Sequence, residues 1–263
     1  MKFQLSRVVV LFLGLVLFSC SNDDETITSE NKDGALKVEF DNFYGSSDLV
    51  FGTEYTNSNS EILKVNKAQY IISNIVLTKT DGTTYTVPQK SSNFIVDETE
   101  VASSVISLTN IPAGDYEKIS FGVGIDKKQW GEGEAAQGNF WTLAFTAGLT
   151  WNWNPGYIFF KMEGTYTDTD TNDVKQFQTH IGQTSQSYNY NLISLDFPNA
   201  TKATVSQTVT PKIKIITDLS KVLDGTNQIN LSDDGSGSIT GGTLAVQVAV
   251  NFQNMFHVAN ITN

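Results

Sequence analysis

Hydrophobic and polar residues alternate along much of the chain after residue 34, in segments rich in β-branched and aromatic residues. A period of two places one face of a strand in a core and the other in water. We predict strands at residues 35–40, 68–79, 83–87, 93–96, 105–109, 115–125, 156–167, 174–181, 191–197, 203–208 and 212–217. Helix is scarce, with a short aspartate-capped turn at 218–223 and either a helix or a strand at 244–256. The pattern predicts an all-β fold, an antiparallel β-sandwich with little helix.

Two of these segments, 156–167 and 174–181, flank the polar turn 168–173 and are predicted to pair as a long antiparallel hairpin. At roughly 3.3 Å per residue, this pairing places His180 within about 10 to 15 Å of Tyr157. The turn begins like a calcium-binding loop, but Thr179 stands at the twelfth position in place of a bidentate glutamate. A polar hairpin turn is therefore favoured over a calcium site.

Residues 127–154 are predicted to form a long irregular loop inserted between two strands. This Trp-rich insertion contains all four tryptophans, at positions 130, 141, 151 and 153. Loops of this length in compact domains are often functional. Tryptophans can equally supply the hydrophobic surface that holds a long loop down, and for any single tryptophan this packing interpretation is favoured.

The first 34 residues differ in composition from the rest of the chain. Lys2 and Arg7 precede an apolar run at 8–18 that is too short to span a bilayer permanently, which indicates a secretory signal. A small residue before the lone Cys20 resembles the lipobox of bacterial lipoproteins; the alternative is an ordinary cleaved signal. We predict a lipoprotein signal peptide at 1–19, lipidation of Cys20, a flexible acidic tether at 20–34 and one β domain at 35–263. The predicted location is the cell envelope, as an outer-membrane lipoprotein facing the periplasm or the cell surface and touching the membrane only through its lipid.

Composition narrows the choice of partners. The chain has 17 basic and 28 acidic residues, a net charge of −11, so nucleic acid is not an expected partner. Cys20 is the only cysteine, which excludes an internal disulfide or a thiolate metal site from the mature fold. The Gly- and Ser-rich stretch 235–242 lacks the lysine of a phosphate-binding loop and is predicted to be a flexible loop.

Several short motifs occur in an order that resembles the MbnP-like family. They are residues 38–41 (VEFD), 52–57 (GTEYTN), 68–77 (AQYIISNIVL), 111–116 (IPAGDY), 119–126 (ISFGVGID), 151–154 (WNWN), 161–164 (KMEG), 180–182 (HIG) and 254–256 (NMF). The resemblance implies a β-rich extracytoplasmic protein that binds copper. It also implies a possible partner, a di-haem cytochrome c peroxidase-like enzyme that oxidises a tryptophan to kynurenine, which helps to build the copper site with histidine.

Carried over residue by residue, the resemblance makes Trp151 and Trp153 the candidates for modification and His180 a candidate ligand. The chain departs from the family pattern at Asn42, Phe43 and Tyr44, where many relatives have a histidine. It departs again near the C-terminus, where a histidine is expected at the position of Asn260, and His257 directly follows Phe256 instead.

The supply of copper ligands is small. Imidazole and thioether groups suit copper, so a protein centre has to use His180, His257 or both, with Met162, Met255, a tryptophan-derived group or a carboxylate. No Ser-His-Asp or Cys-His arrangement has a supporting local motif, and we do not predict an enzyme. The function predicted first is therefore a lipid-anchored copper-binding protein. The alternative is a surface module that binds glycan or protein through exposed aromatic residues and holds no metal.

Overall fold

The computed structural model describes residues 33–151, 156–184, 187–233 and 236–263, all within one structural unit that spans 31–263. Its strands are β1 (Gly34–Tyr44), β2 (Ser47–Asp48), β3 (Glu54–Thr56), β4 (Ile62–Lys79), β5 (Thr84–Thr86), β6 (Phe94–Asp97), β7 (Val105–Ile111), β8 (Gly114–Val123), β9 (Ile158–Thr167), β10 (Val174–Gly182), β11 (Asn191–Asp196), β12 (Ala203–Val205), β13 (Lys212–Asp218), β14 (Ser238–Ile239) and β15 (Phe256–Thr262). The α-helices are α1 (Lys127–Gly131), α2 (Asn139–Thr146) and α3 (Gly242–Asn251). Short 3-10 turns lie at Gln89–Ser91, Val101–Ser104, Glu134–Gln137, Pro198–Ala200, Leu219–Val222 and Phe252–Asn254.

These strands form two sheets. The smaller has the order β15-β13-β1-β2, with β7 also paired to β1. The larger has the order β11-β8-β4-β9-β10-β14, with β12 paired to β8 and with β3, β5 and β6 paired to β4. The 18-residue strand β4 is the central strand of the larger sheet, because other strands pair with it along nearly its whole length.

The main core lies between the inner faces of the two sheets. Alternate residues of β1, such as Val38 and Phe40, are buried there against residues of the larger sheet, such as Phe121. The Phe40 ring meets the Phe121 ring edge to face, with centroids 5.4 Å apart. This packing confirms the all-β sandwich that the alternating pattern predicts.

Two strand pairs depart from the expected antiparallel arrangement. Strand β1 pairs with β13 in parallel, and β10 pairs with β14 in parallel. The remaining strand pairs among the described residues are antiparallel, including β9 with β10. The sheets are thus mixed, because sequence pattern reveals which segments are strands but not which distant strands become neighbours.

The segment 127–154 is not the irregular loop that we expected. Its described part, up to Trp151, contains α1, a 3-10 turn and α2. The Asp126 side chain accepts hydrogen bonds from the backbone amides of Lys128 and Gln129 and so caps α1. In α2, Phe140 and Ala144 are buried on one face, at the four-residue spacing that brings side chains together on a helix.

Both alternatives for the C-terminal segment occur, one after the other. Helix α3 covers Gly242–Asn251, and β15 then runs from Phe256 to Thr262. The predicted aspartate-capped turn is confirmed at Leu219–Val222, where the Asp218 side chain accepts from the Ser220 amide. Strand β12 is shorter than predicted, and β4 begins six residues earlier than predicted.

The predicted signal peptide, Cys20 and all of the predicted tether except residues 33 and 34 lie outside the described residues. Gly34 already belongs to β1, one residue before the predicted start of the domain. No helix in the described part of the chain is long and apolar enough to cross a membrane.

Candidate functional site

A second hydrophobic cluster covers the outer face of the larger sheet. It joins buried residues of the 127–151 segment to residues of β4 and β9, and its members are Ile71, Ile125, Phe140, Ala144, Leu149, Trp151, Tyr157, Ile158 and Phe159. The rings of Trp130 and Trp141 pack against Tyr157, with centroids 5.7 Å and 5.1 Å from it. Trp130 and Trp141 therefore pack the segment against the sheet, in agreement with the packing interpretation that was favoured for any single tryptophan.

The predicted hairpin is confirmed and fixes which side chains share the outer face. Strands β9 and β10 pair so that His180 lies opposite Lys161 and Thr179 lies opposite Met162. Directly opposed residues share a face and neighbours along a strand alternate, so Glu163 lies on the same face as His180. Met162 and Thr179 point to the opposite face, into the main core.

His180 lies between a carboxylate and an indole. Its Nε2 atom is 2.8 Å from Oε1 of Glu163, the residue diagonal to it on β9. The Trp151 ring centroid is 6.3 Å from the imidazole centroid, at an interplanar angle of 51°. The backbone amide of Trp151 donates to the Gly156 carbonyl, which fixes the chain next to the start of β9. The Trp-rich segment and the hairpin histidine thus meet at one place.

Lys161 ties the helical segment to the sheet beside this pair. Its side chain is buried, and its Nζ donates to the backbone carbonyl of Gly148. In the register of the sheet it stands between Gln69 on β4 and His180 on β10. Burial lowers the pKa of the Lys161 ammonium, because the charged form loses its hydration.

Burial also lowers the pKa of His180, against the opposing effect of the hydrogen bond that the imidazole donates to Glu163. The imidazole is therefore neutral at neutral pH. A carboxylate only accepts hydrogen bonds, so the Nε2 atom beside Glu163 carries the proton and Nδ1 keeps a lone pair. A histidine whose second nitrogen donates to a carboxylate has the arrangement found at protein metal sites.

An open groove of about 530 Å³ runs beside this cluster. It is lined by Glu163, Gln176, Phe177, Gln178, Gly237 and Ser238. Glu163 belongs to both the groove and the histidine pair, and its side chain is 37% exposed, against 13% for His180. The carboxylate is thus the solvent-facing member of the pair.

The other candidate ligands lie elsewhere. Met162 is fully buried in the main core, on the opposite face of the sheet from His180. His257 is an exposed residue of β15 in the smaller sheet, where it pairs with Ile216. Met255 is also fully buried in the main core, and Trp153 and Cys20 lie outside the described residues. Within the described ranges no three His, Cys, Asp or Glu side chains are grouped to hold a metal ion.

Asn42, where the family pattern leads us to expect a histidine nearby, is part of an internal hydrogen-bond chain. Its Oδ1 accepts from the hydroxyl of Tyr70 at 2.9 Å, and its Nδ2 donates to Glu98 at 2.8 Å. Similarly, Asp168 of the hairpin turn accepts hydrogen bonds from the Thr171 amide and from Lys175. That carboxylate stabilises the turn, in accord with the favoured polar hairpin.

Glu163 and Lys161 were not predicted to be site residues, although both belong to the motif at 161–164. The signal that identifies them is their position relative to His180. Residues 161 and 163 are two apart on β9, so their side chains lie on the same face of the sheet. The register of the hairpin determines whether His180 lies on that face too. The register could not be read from the sequence, so neither residue could be assigned.

Comparisons with known proteins agree with the motif pattern. The model of the MbnP family matches residues 33–243. Among solved structures, the chain is similar to MbnP from Methylosinus trichosporium, with a TM-score of 0.50, 13% sequence identity, and coverage of 81% of this chain and 82% of that chain. At this identity the likeness to the solved structure concerns the fold. No curated protein matches the chain. Because the family model covers most of the sequence, the chain belongs to the MbnP family.

Proposed function

We propose that this protein is a lipid-anchored, extracytoplasmic copper-binding protein whose centre forms at His180, beside Trp151. The observation that carries the proposal is the meeting of the hairpin imidazole and the indole, with centroids 6.3 Å apart. Membership of the MbnP family supports an accessory, non-catalytic role.

The chemistry of the donors fits copper at this place. His180 offers a neutral imidazole oriented by Glu163, and imidazole is a good ligand for copper ions. Glu163 can act either as the orienting group or as an oxygen ligand. Bound copper would supply a redox-active ion held in the cell envelope. Met162 and His257 do not lie with His180, so the centre needs a further donor from the tryptophan segment.

We propose that this further donor arises by oxidation of Trp151, with Trp153 as the alternative. A di-haem cytochrome c peroxidase-like partner would use two molecules of hydrogen peroxide as the oxidant: four electrons leave the indole, its C2–C3 bond breaks, each of these carbons gains one oxygen atom, and two molecules of water form. Hydrolysis of the resulting N-formylkynurenine with one further water then releases the C2 carbon as formate. The resulting kynurenine has an aromatic amine and a ketone, two groups that can bind a metal.

The composition of the N-terminal segment supports a location in the cell envelope. We propose that cleavage before Cys20 and acylation of this residue hold the β domain in the cell envelope, in contact with a membrane only through the lipid. The strongly acidic composition supports a partner with a basic surface and no role in nucleic acid binding.

Copper titration of matched histidine variants tests the centre. We expect His180→Ala to weaken copper binding at least about tenfold in calorimetry, because it removes the imidazole ligand. His257→Ala serves as the matched control and should bind copper like the unmodified chain, since His257 lies exposed on the other sheet. Equal affinity of the His180→Ala variant and the parent protein would refute the proposal.

Mass spectrometry tests the modification separately. Coexpression with a di-haem peroxidase-like partner should raise the mass of one tryptophan by about 4 Da. Peptide mapping should place the gain at Trp151, and Trp151→Phe should abolish it. A gain that persists in Trp151→Phe and disappears in Trp153→Phe would move the modification to the alternative residue. No gain in the coexpressed parent protein would contradict the proposed modification.

A further inference from the structure

Gln178 shares the outer face of the hairpin with His180 and Glu163. It lies directly opposite Glu163 in the register of β9 and β10, and it is two residues from His180 along β10. Opposed residues, and residues two apart on a strand, point to the same face, and opposed Cβ atoms are about 4.5 to 5.5 Å apart. An imidazole, a carboxylate and an amide therefore stand together on one side of the sheet.

The open groove beside the hairpin gives a dissolved ion access to these groups. Glu163 and Gln178 both line this groove, and Gln178 is an exposed residue. His180 is less exposed, but its Nε2 atom faces the Glu163 carboxylate. An ion in the groove can therefore reach the carboxylate and the amide without any opening of the fold.

Ser238 holds the Gln178 side chain in place. Nε2 of the Gln178 amide donates to the Ser238 hydroxyl at 2.7 Å. The backbone amide of Gln178 donates to the carbonyl of Gly237 at 2.9 Å, and the parallel pairing of β10 with β14 keeps Ser238 beside Gln178. Because Nε2 is engaged in this way, Oε1 is the atom of the Gln178 amide that remains to bind a cation.

The spacing of His180 and Glu163 is compatible with two ligands of one tetragonal ion. Their Nε2 and Oε1 atoms are 2.8 Å apart. Two donor atoms that each lie about 2.0 Å from an ion, at a right angle to each other, are about 2.8 Å apart. A small rotation of the partly exposed Glu163 side chain lets both atoms bind the same ion, and the imidazole proton then resides on Nδ1.

We propose that Gln178 is a ligand of the copper centre, which takes up Cu(II) from the groove through Nε2 of His180, a carboxylate oxygen of Glu163 and Oε1 of Gln178. This inference rests on the proposed function and adds the side of entry and the oxidation state of the ion. One nitrogen and two oxygens suit Cu(II), whereas Cu(I) prefers soft sulfur donors. These atoms hold the ion first, and a donor from the oxidised tryptophan segment completes the centre afterwards.

Two lysines limit the affinity of this site. Lys67 lies opposite Glu163 on β4, and Lys161 lies opposite His180 on β9. Besides burial, the charges of both lysines lower the pKa of His180, and the same repulsion disfavours a bound cation. Lys67→Leu should therefore strengthen Cu(II) binding.

Calorimetric titration of Cu(II) into matched glutamine variants, expressed without the haem partner, tests the assignment. Gln178→Leu should weaken binding at least about fivefold, because the amide oxygen is lost. Gln178→Glu should strengthen it at least about fivefold, because a charged oxygen ligand takes the place of the amide. Gln176 supplies the controls, since it is exposed on the same face of β10, lines the same groove and is two residues further from His180. Gln176→Leu and Gln176→Glu should each stay within about twofold of the parent.

The outcomes separate this inference from the proposed function. Copper binding that is lost in His180→Ala but is equal in Gln178→Leu and Gln176→Leu would overturn the role of Gln178 and leave the centre at His180. An affinity of Lys67→Leu no higher than that of the parent would contradict an ion at Glu163. A parent protein that binds no copper would overturn both proposals. Thermal unfolding of each metal-free variant checks that these surface substitutions leave the fold intact, and the Cu(II) EPR spectrum should show nitrogen coupling that disappears in His180→Ala.

Discussion

At the scale of single residues, the hydrogen bond from His180 to Glu163 affects the charge state of the imidazole. Desolvation disfavours the imidazolium form, and the Glu163 carboxylate partly offsets this effect by accepting from Nε2. The two effects act in opposite directions on the pKa of the imidazole, burial is the larger of them, and Glu163 also orients the ring.

Replacing Glu163 with glutamine should lower the pKa of His180 further. The glutamine keeps the size of the side chain but removes the negative charge that favours the imidazolium. NMR titration of the imidazole C–H signals measures this directly, because the chain has only two histidines and His257→Ala assigns the second signal. Glu54→Gln, at an exposed partner of Lys64, is the control and should leave the His180 curve unchanged. A rise in the His180 pKa in Glu163→Gln would contradict the proposed role of the carboxylate.

At the scale of elements, the sequence predicted the strands well and the helical segment poorly. Strands such as β9 can be recognised from the sequence, because apolar and polar residues alternate along them and turn residues flank both ends. Helix α2 is only eight residues long, and it is held by burial of Phe140 and Ala144 against the sheet rather than by a long apolar period. The relevant contacts, such as the one between Phe140 and Tyr157, join residues that are distant along the chain, and a local pattern does not record them.

Two phenylalanines on α2 allow a matched test of this packing. Phe140→Ala should reduce the free energy of unfolding by about 2 to 4 kcal/mol, because it removes a buried ring from the second cluster. Phe145→Ala should change it by less than about 0.5 kcal/mol, since that side chain is 62% exposed. Urea unfolding followed by tryptophan fluorescence gives both values. Similar losses in the two variants would show that α2 does not pack as described.

Long-range pairing also determines how much of the candidate site could be predicted from the sequence. The hairpin alone was enough to place His180 near the tryptophan segment, and that expectation is confirmed by the contact with Trp151. The separation of Met162 from His180 depends on which face each occupies, and only the register determines that. His257 was assigned from its residue type alone, and its position on the smaller sheet depends on long-range pairing.

At the scale of the whole molecule, buried and partly buried phenol groups occur in both hydrophobic clusters. Tyr44, Tyr70, Tyr157 and Tyr188 all have a pKa raised by burial, and burial raises the pKa of Tyr116 to about 12. They are distributed between the main core and the second cluster. A charged phenolate in either place would lose its hydration, so the fold favours the neutral form throughout.

This distribution predicts loss of stability at alkaline pH. An unfolded tyrosine releases its proton near pH 10, whereas these tyrosines keep theirs in the folded state. Each raised pKa therefore contributes stability that is fully present below about pH 10 and declines as the pH rises towards the folded value. Urea unfolding at a series of pH values should show the free energy of unfolding falling above about pH 10, together with the appearance of phenolate absorbance on unfolding. Tyr70→Phe should make this decline less steep, because one linked proton is removed. Phenolate absorbance equivalent to all nine tyrosines while the protein remains folded would show instead that these five hydroxyls are open to solvent.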